Sequence, residues 1–265
     1  MRDSFKTILI PVDFSINTEV AIKKTLEIIG PGQSTVYLLH VNNTKSVTPG
    51  QDVEEKMLEH WKQNIENSDP LVSVVSHIVW NSPVTHAIVS MAKKWGADLI
   101  VIGQKSNHSW FPFLNTVVPT DIAEQTGVAV LTVKPGALHC KIRTLVMPIT
   151  GNVPPHKMEA ILALSRKFKL KIHLITFTDD EKSTSEVSKL EVLKVYQWIQ
   201  DTMHCTIECA VLKGYNKARA ILDYAKRIDA DMLLVNTKSE TKIGSFNRHI
   251  SNVLPAASRM QVLTL

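Results

Sequence analysis

The sequence predicts an α/β protein built from two tandem, doubly wound domains, each around a five-stranded parallel sheet, and two observations carry that expectation. The stretch ADLIVIGQKS (Ala97 to Ser106) returns as ADMLLVNTKS (Ala230 to Ser239), 133 residues later in a chain of 265. A repeat of that period is a duplicated domain rather than a short solenoid unit. Within each half, short continuous apolar runs alternate with segments of helical periodicity. Such runs are strands buried on both faces, and the alternation implies βαβ crossovers and a parallel sheet. The expected division is 1–138 and 139–265, with the halves related by a pseudo-twofold and each burying its own core.

In the first half, Lys6 to Val12 is strand one, ending at Asp13, with Ser15 or Asn17 placed to cap the next helix. That helix carries Val20, Ala21, Thr25 and Ile28 on adjoining turns and stops at Gly30-Pro31-Gly32. Thr35 to Val41 is strand two. In the second helix Val53, Met57, Trp61 and Ile65 recur every four residues, a face expected to pack on the sheet. Leu71 to Val79 is strand three, and Val84, Ile88, Met91 and Trp95 line the helix that Gly96 terminates. The repeated stretch is strand four, its Ala-Asp pair expected to close the preceding helix. A short helix with Pro119 in its first turn and a strand from Val128 to Val133 complete the half.

Lys134 to Lys141 is the linker, and Arg143 to Ile149 repeats strand one at an offset of 137 residues. The second half is therefore shorter by four residues between its first and fourth strands. Met158, Ile161, Leu162 and Ser165 begin its first helix, Lys171 to Phe177 is its second strand, and Leu190, Leu193 and Gln197 mark the next helix. Cys205 to Leu212 is the third strand, and Ala218, Ile221, Leu222, Ala225 and Ile228 form one helix face. Val262 to Leu265 is the fifth strand.

Composition excludes several classes of function. An apolar fraction of 44% with 21% charged residues is that of a globular chain. No apolar run approaches the roughly 18 residues of a membrane span, and the charged start MRDSFKTILIPVDFS lacks the apolar region of a signal peptide. A cytoplasmic protein without membrane contact is expected. The net charge of +5 is spread along the chain without a Lys/Arg block or aromatic-basic interleaving, so nucleic acid is not an expected partner. The three cysteines, Cys140, Cys205 and Cys209, are too few for a disulfide framework. Cys205 and Cys209 on a regular strand would stand about 13 Å apart, too far to share a metal, and read as core residues. Neither a Gly-x-Ser-x-Gly elbow nor a P-loop lysine motif occurs, so no enzymatic activity is expected.

The segments ILIPVDFS, LLHVNN, PVTHAIVSMAKKWGADLIVIG and DIAEQTGVAVLTVKPG, in that order, give the chain a resemblance to the universal stress proteins in their tandem two-domain form. The resemblance implies Rossmann-like domains of the adenine nucleotide alpha hydrolase type and dimer contacts through the last strand. In some members it also implies adenine nucleotide binding at the carboxyl edge of the sheet. Members that bind ATP carry a glycine, two residues, a second glycine, nine residues, then glycine followed by Ser or Thr. Glycines there let backbone N–H groups approach phosphates, and the last pair opens a helix whose N-terminus favours anions. Here those positions read Gly103, Ser106, Thr116 and Val117, so only the first glycine is kept.

By the same resemblance Asp13 matches the acidic residue that holds the adenosine end, and Val41 the position whose backbone reads adenine. Each also has a plain structural reading, Asp13 as a cap or turn residue and Val41 as core. The loop between Ser106 and Thr116 holds Trp110, Phe111 and Phe113 where ATP binders are small and basic, which suits a loop folded onto another surface or a lid over a different ligand. In the second half the equivalent positions are Thr150, Asn236, Ser239 and His249-Ile250, a degenerate ligand site, and Gly244-Ser245 reads as a turn.

The expected role is a stress-response binding or regulatory module, open to two readings. In one, the amino-terminal half keeps a degraded nucleotide site made of Asp13, Val41, Gly103, Ser106 and Thr116, taking ATP or AMP, with no metal beyond nucleotide-bound Mg²⁺. In the other, neither half binds nucleotide and the chain is a dimerising scaffold whose Trp110 to Phe113 loop meets a partner protein or small apolar ligand. Weak ATP hydrolysis ranks below both. The partners expected are the chain's own second half in a pseudo-dimer, a further copy in a homodimer, and a regulatory protein.

Overall fold

The apolar runs of the sequence become the strands of one ten-stranded sheet. A computed structural model describes residues 4–42, 51–104, 117–178, 186–213, 216–237, 242–243 and 248–265. The first half runs β1 (Thr7–Val12), α1 (Ile16–Ile28), β2 (Ser34–Asn42), α2 (Gln51–Ser68), β3 (Val72–Trp80), α3 (Val84–Trp95), β4 (Leu99–Gly103), α4 (Pro119–Thr126) and β5 (Ala129–Val133). A 3-10 turn, Pro135–Ala137, leads to β6 (Thr144–Pro148), α5 (Pro155–Ser165), β7 (Lys171–Thr178), α6 (Glu186–Thr202), β8 (Thr206–Lys213), α7 (Lys217–Arg227) and β9 (Met232–Val235). A small antiparallel ladder of β10 (Lys242–Ile243) and β11 (Arg248–His249), then α8 (Ile250–Val253), precedes the last strand, β12 (Gln261–Thr264). The ladder and α8 were not legible in the apolar pattern, because each is too short to show a period.

The strand order is β3-β2-β1-β4-β5-β12-β9-β6-β7-β8, which reads the same from either end of the duplication. Neighbours within each half are parallel. The two last strands, β5 and β12, pair antiparallel, with Thr132 opposite Val262 and Val130 opposite Thr264. The contact implied for a pair of domains through their last strands is thus made inside one chain, and the halves form a single continuous sheet.

That continuity corrects the expectation of two separate cores. On the face covered by α1, α2, α5 and α6, residues of both halves, among them Ile10, Val20, Leu131, Met147, Ile161 and Leu263, belong to one buried cluster. On the opposite face the apolar residues split into a cluster under α3 and α4 and another under α7 and α8. Polar contacts bridge the gap between them: the Thr120 hydroxyl lies 3.1 Å from Nδ1 of His249, and the Gln104 amide donates to Asn252.

Two helical faces also differ from the sequence pattern. On α2, Leu58 and Ile65 are buried with Trp61 packed beside them, while Val53 is 56% exposed and Met57 38%. The helix turns its Leu58 side inward because only that side meets β2 and β3, so a spacing of four traced the wrong edge of the apolar stripe. On α6, Val195 and Ile199 are buried, whereas Leu190 and Leu193 face outward. Cys205 packs against the large cluster as expected, but Cys209 is exposed on the outermost strand.

The repeated Ala-Asp pair does more than end a helix. The Ala97 and Ala230 amides do close the last turns of α3 and α7, donating to the carbonyls of Ala92 and Ala225 at 2.9 Å each. Asp98 then reaches back to the start of β1, where its carboxylate accepts from the amides of Lys6 (3.0 Å) and Thr7 (3.1 Å). Asp231 does the same for Arg143 and Thr144 at the start of β6, at 2.9 Å each. The linker is held as firmly. The Lys24 ammonium, wholly buried, donates to Glu27 and to the Cys140 carbonyl at 2.6 Å, and the Gly136 amide donates to Ala256. None of the described helices is long and apolar enough to cross a membrane.

Candidate functional site

The carboxyl edge of the first half gathers three of the residues singled out in the sequence. Val12 pairs with His40, which places Asp13 and Val41 at the ends of neighbouring strands. Continuing the β1–β4 register, in which Leu9 faces Ile100, puts Gly103 beside Val12. Ser106 and Thr116, and the aromatic loop Trp110 to Phe113, lie outside the described residues, as does Gly244-Ser245.

Each of the three has a structural task at this edge. Oδ1 of Asp13 accepts from the Ser15 amide (3.1 Å), the Ser15 hydroxyl (2.6 Å) and the Thr18 hydroxyl (2.8 Å). Ser15 is the N-cap of α1, its hydroxyl accepting from the Asn17 amide, so Asp13 orders the cap itself. Val41 is buried with Leu9, Leu39 and Ile102. A Cβ at Gly103 would fall 1.9 Å from the Asn17 carbonyl oxygen. The glycine therefore lets the first turn of α1 lie directly on β4, which accounts for it without any phosphate.

The edge also contains residues the sequence reading passed over. Phe14 adopts a left-handed backbone, φ 56°, unusual for a bulky residue and costing on the order of 1 kcal/mol. Its ring lies 4.6 Å from that of His40 and 5.6 Å from that of Trp61. His40 Nδ1 is 2.9 Å from the Val12 carbonyl, and Nε2 is 3.6 Å from Glu54. Glu54, from the first turns of α2, also accepts from the Asn42 side-chain amide at 3.0 and 2.9 Å. The Asp-Phe pair after β1 and the His-Val-Asn end of β2 were visible as letters. The partner Glu54 was not, because only the fold brings α2 back over β2.

Two carboxylates, Asp13 and Glu54, thus line this edge, a setting suited to hydroxyl and amine donors rather than to a run of phosphates. The second half differs at the aspartate position. Thr150 stands at the aspartate position, Asn236 at the glycine, and the fully buried Lys157 ammonium donates to the Pro148 carbonyl at 2.7 Å. Among the described residues, no group of three or more His, Cys, Asp or Glu side chains is placed to hold a metal ion.

Residues 4–134 match the model of the Universal stress protein family. Universal stress protein A homolog 2 of Coxiella burnetii is 29% identical over 116 residues, covering 40% of this chain and 80% of that protein. A universal stress protein from Archaeoglobus fulgidus superposes on 97% of this chain and 97% of its own at 15% identity, with a TM-score of 0.67. A putative universal stress protein from Pseudomonas aeruginosa covers 99% of this chain and 94% of its own at 16% identity, with a TM-score of 0.59. At these identities the two structures share the fold across both halves.

Proposed function

Because the chain belongs to the universal stress protein family through its amino-terminal half, we propose that it is a cytoplasmic, non-catalytic stress-response binding module with a single ligand position, the carboxyl edge of that half. The second half completes the sheet in place of a partner subunit. The ligand that fits best is an adenine nucleoside or monophosphate such as AMP. Asp13 and Glu54 favour ribose hydroxyls and an exocyclic amine, while Ser106 and Thr116 stand where ATP binders have glycine. The observation that carries this reading is the placement of Asp13, Val41 and Gly103 on adjacent strand ends, against Thr150 and Asn236 in the other half.

Calorimetric titration with AMP, and with ATP and Mg²⁺, tests it, using Asp13→Asn to remove the charge while keeping the size. Micromolar AMP binding, weakened at least about tenfold by the substitution and no tighter for ATP, is expected. No heat with either ligand sinks the nucleotide reading. It would leave the scaffold reading, which the continuous sheet across β5 and β12 favours independently. Release of phosphate from ATP by the purified chain would overturn the non-catalytic assignment.

A further inference from the structure

The two outer edges of the sheet are β3 and β8, and they are protected very differently. Soluble proteins blunt such edges with charged residues, proline or bulges, since an edge presents unpaired N–H and C=O groups to any passing strand. β8, TIECAVLK, carries Glu208 and Lys213, with Glu208 paired to Lys171 at 2.7 Å. β3, VSVVSHIVW, has no Asp, Glu, Lys, Arg or Pro in nine residues.

The outward groups of β3 can be followed residue by residue. The Val72 amide donates to the Asp69 carbonyl (3.0 Å) and the Val74 amide to Oε1 of Glu66 (2.9 Å), so both point away from β2. Backbone direction alternates with period two along a strand, so the amides and carbonyls of Ser76, Ile78 and Trp80 point outward too. Among the described residues, Asp69 and Glu66 cap the first part of the edge, and no hydrogen bond caps the second part. Alongside that second part runs a groove of about 630 Å³ between the strand residues Ser76, Ile78 and Trp80 and the α2 residues Glu55, Leu58 and Glu59. Glu55 and Glu59 are exposed on its lip, with Lys56 between them. Helix α2 holds five acidic residues and two lysines, a net −3 on a chain of net +5.

We infer that the Ser76 to Trp80 edge of β3 is a strand-addition site for an extended, basic segment of a partner protein. The partner's backbone would bond to the outward groups of Ser76 and Ile78. Every second side chain of the segment, Lys or Arg, would face Glu55 and Glu59, and the alternate ones, apolar, would lie beside the exposed Val75 on the other face. Charge argues against a second copy as the occupant. Two β3 edges related by a twofold axis normal to the sheet would bring two acidic α2 helices together on one face. This site is independent of any ligand at the carboxyl edge.

The test is fluorescence anisotropy of the whole chain with a labelled eight-residue peptide alternating valine and lysine. The controls are a valine-glutamate version and a valine-lysine version N-methylated at alternate residues, which keeps its charge but cannot join a ladder. Saturable binding of the valine-lysine peptide is expected, with about a tenfold loss in the Glu55→Lys/Glu59→Lys variant, whose changes lie on an exposed helix face. Binding should be absent for the N-methylated peptide, and the Ser76 and Ile78 amides should gain exchange protection in the complex. Failure of the valine-lysine peptide to bind, equal binding of the N-methylated peptide, or an unchanged affinity in the double variant would each overturn the proposal. So would a concentration-dependent dimer of the chain alone that protects those same amides, which would assign the edge to a second copy.

Discussion

The two halves of this chain share their internal ties and differ at their margins. Asp98 and Asp231 anchor the first strand of their halves by the same pair of backbone amides, and Ala97 and Ala230 close the same helical turn. Even the left-handed position before them is matched, by Gly96 at φ 62° in one half and Asp229 at φ 51° in the other. At the carboxyl edge the match ends, with Asp13 and Gly103 opposed to Thr150 and Asn236. At the outer edge it ends again, where an uncharged β3 corresponds to a β8 carrying Glu208 and Lys213. The duplication kept the groups that join strand to strand, and the halves diverged where the surface can meet a ligand or partner.

The largest effect that could break this comparison comes from Gly103. In Gly103→Ala the new Cβ, 1.9 Å from the Asn17 carbonyl oxygen, must push the first turn of α1 away from β4. Because the obstacle is backbone, a loss of about 3 kcal/mol is expected, at the upper end for overpacking. The second half already carries a side chain there, so Asn236→Ala should cost about 1 kcal/mol or less. Midpoints of denaturant unfolding with unchanged slopes read both values. Equal losses would mean that Gly103 is not a packing glycine, and its retention would then favour a phosphate-binding role.

Much of this was legible in the sequence, for physical reasons that also explain the gaps. Buried parallel strands are continuous apolar runs, so β1, β2, β4, β6, β7 and β9 stood out, and the Gly96 stop is a left-handed cap. The pairing of β5 with β12 left no local trace, because a strand at a seam between halves reads like any other core strand. For the same reason the shared cluster under α1 and α5 was hidden, and the halves looked self-sufficient. At the candidate site the letters Asp13, Val41 and Gly103 were readable, but the Glu54 contact to Asn42 depends on how α2 crosses the sheet, which no spacing along the chain encodes.

A smaller effect would sharpen the symmetry rather than the difference. Asp98→Ala and Asp231→Ala each leave two strand-end amides without their carboxylate, at an expected cost of about 2 kcal/mol. The two losses should agree within about 0.5 kcal/mol and add in the double substitution, since the amides they hold, Lys6 and Thr7 against Arg143 and Thr144, are different. A clear inequality in the unfolding midpoints would show that one half bears more of the stability than the duplicated bonds suggest.

The smallest expected effect concerns pH. The β1–β2 pairing of Leu9 with Tyr37 corresponds to that of Val146 with His173, so a titrating ring in the second half occupies the place of a tyrosine in the first. Tyr37 stacks on Trp95 at 4.4 Å, whereas buried His173 has its Nδ1 2.9 Å from the Tyr224 hydroxyl and 3.5 Å from Glu208. Burial holds the His173 pKa below its ordinary value and the Lys171 charge lowers it further, with Glu208 only partly opposing. In the interval between the folded value and the ordinary one of about 6.5, the unfolded chain binds more protons at this position than the folded chain does. Stability should therefore rise with pH across that interval and be lost as pH falls below about 6.5. In His173→Gln, which keeps a polar group near the Tyr224 hydroxyl but does not titrate, unfolding midpoints between pH 5 and 7 should show a shallower dependence. Tyr37→Phe, at the matching place, should leave that dependence unchanged. A slope that survives His173→Gln would move the acid sensitivity elsewhere and make the two halves alike in this respect.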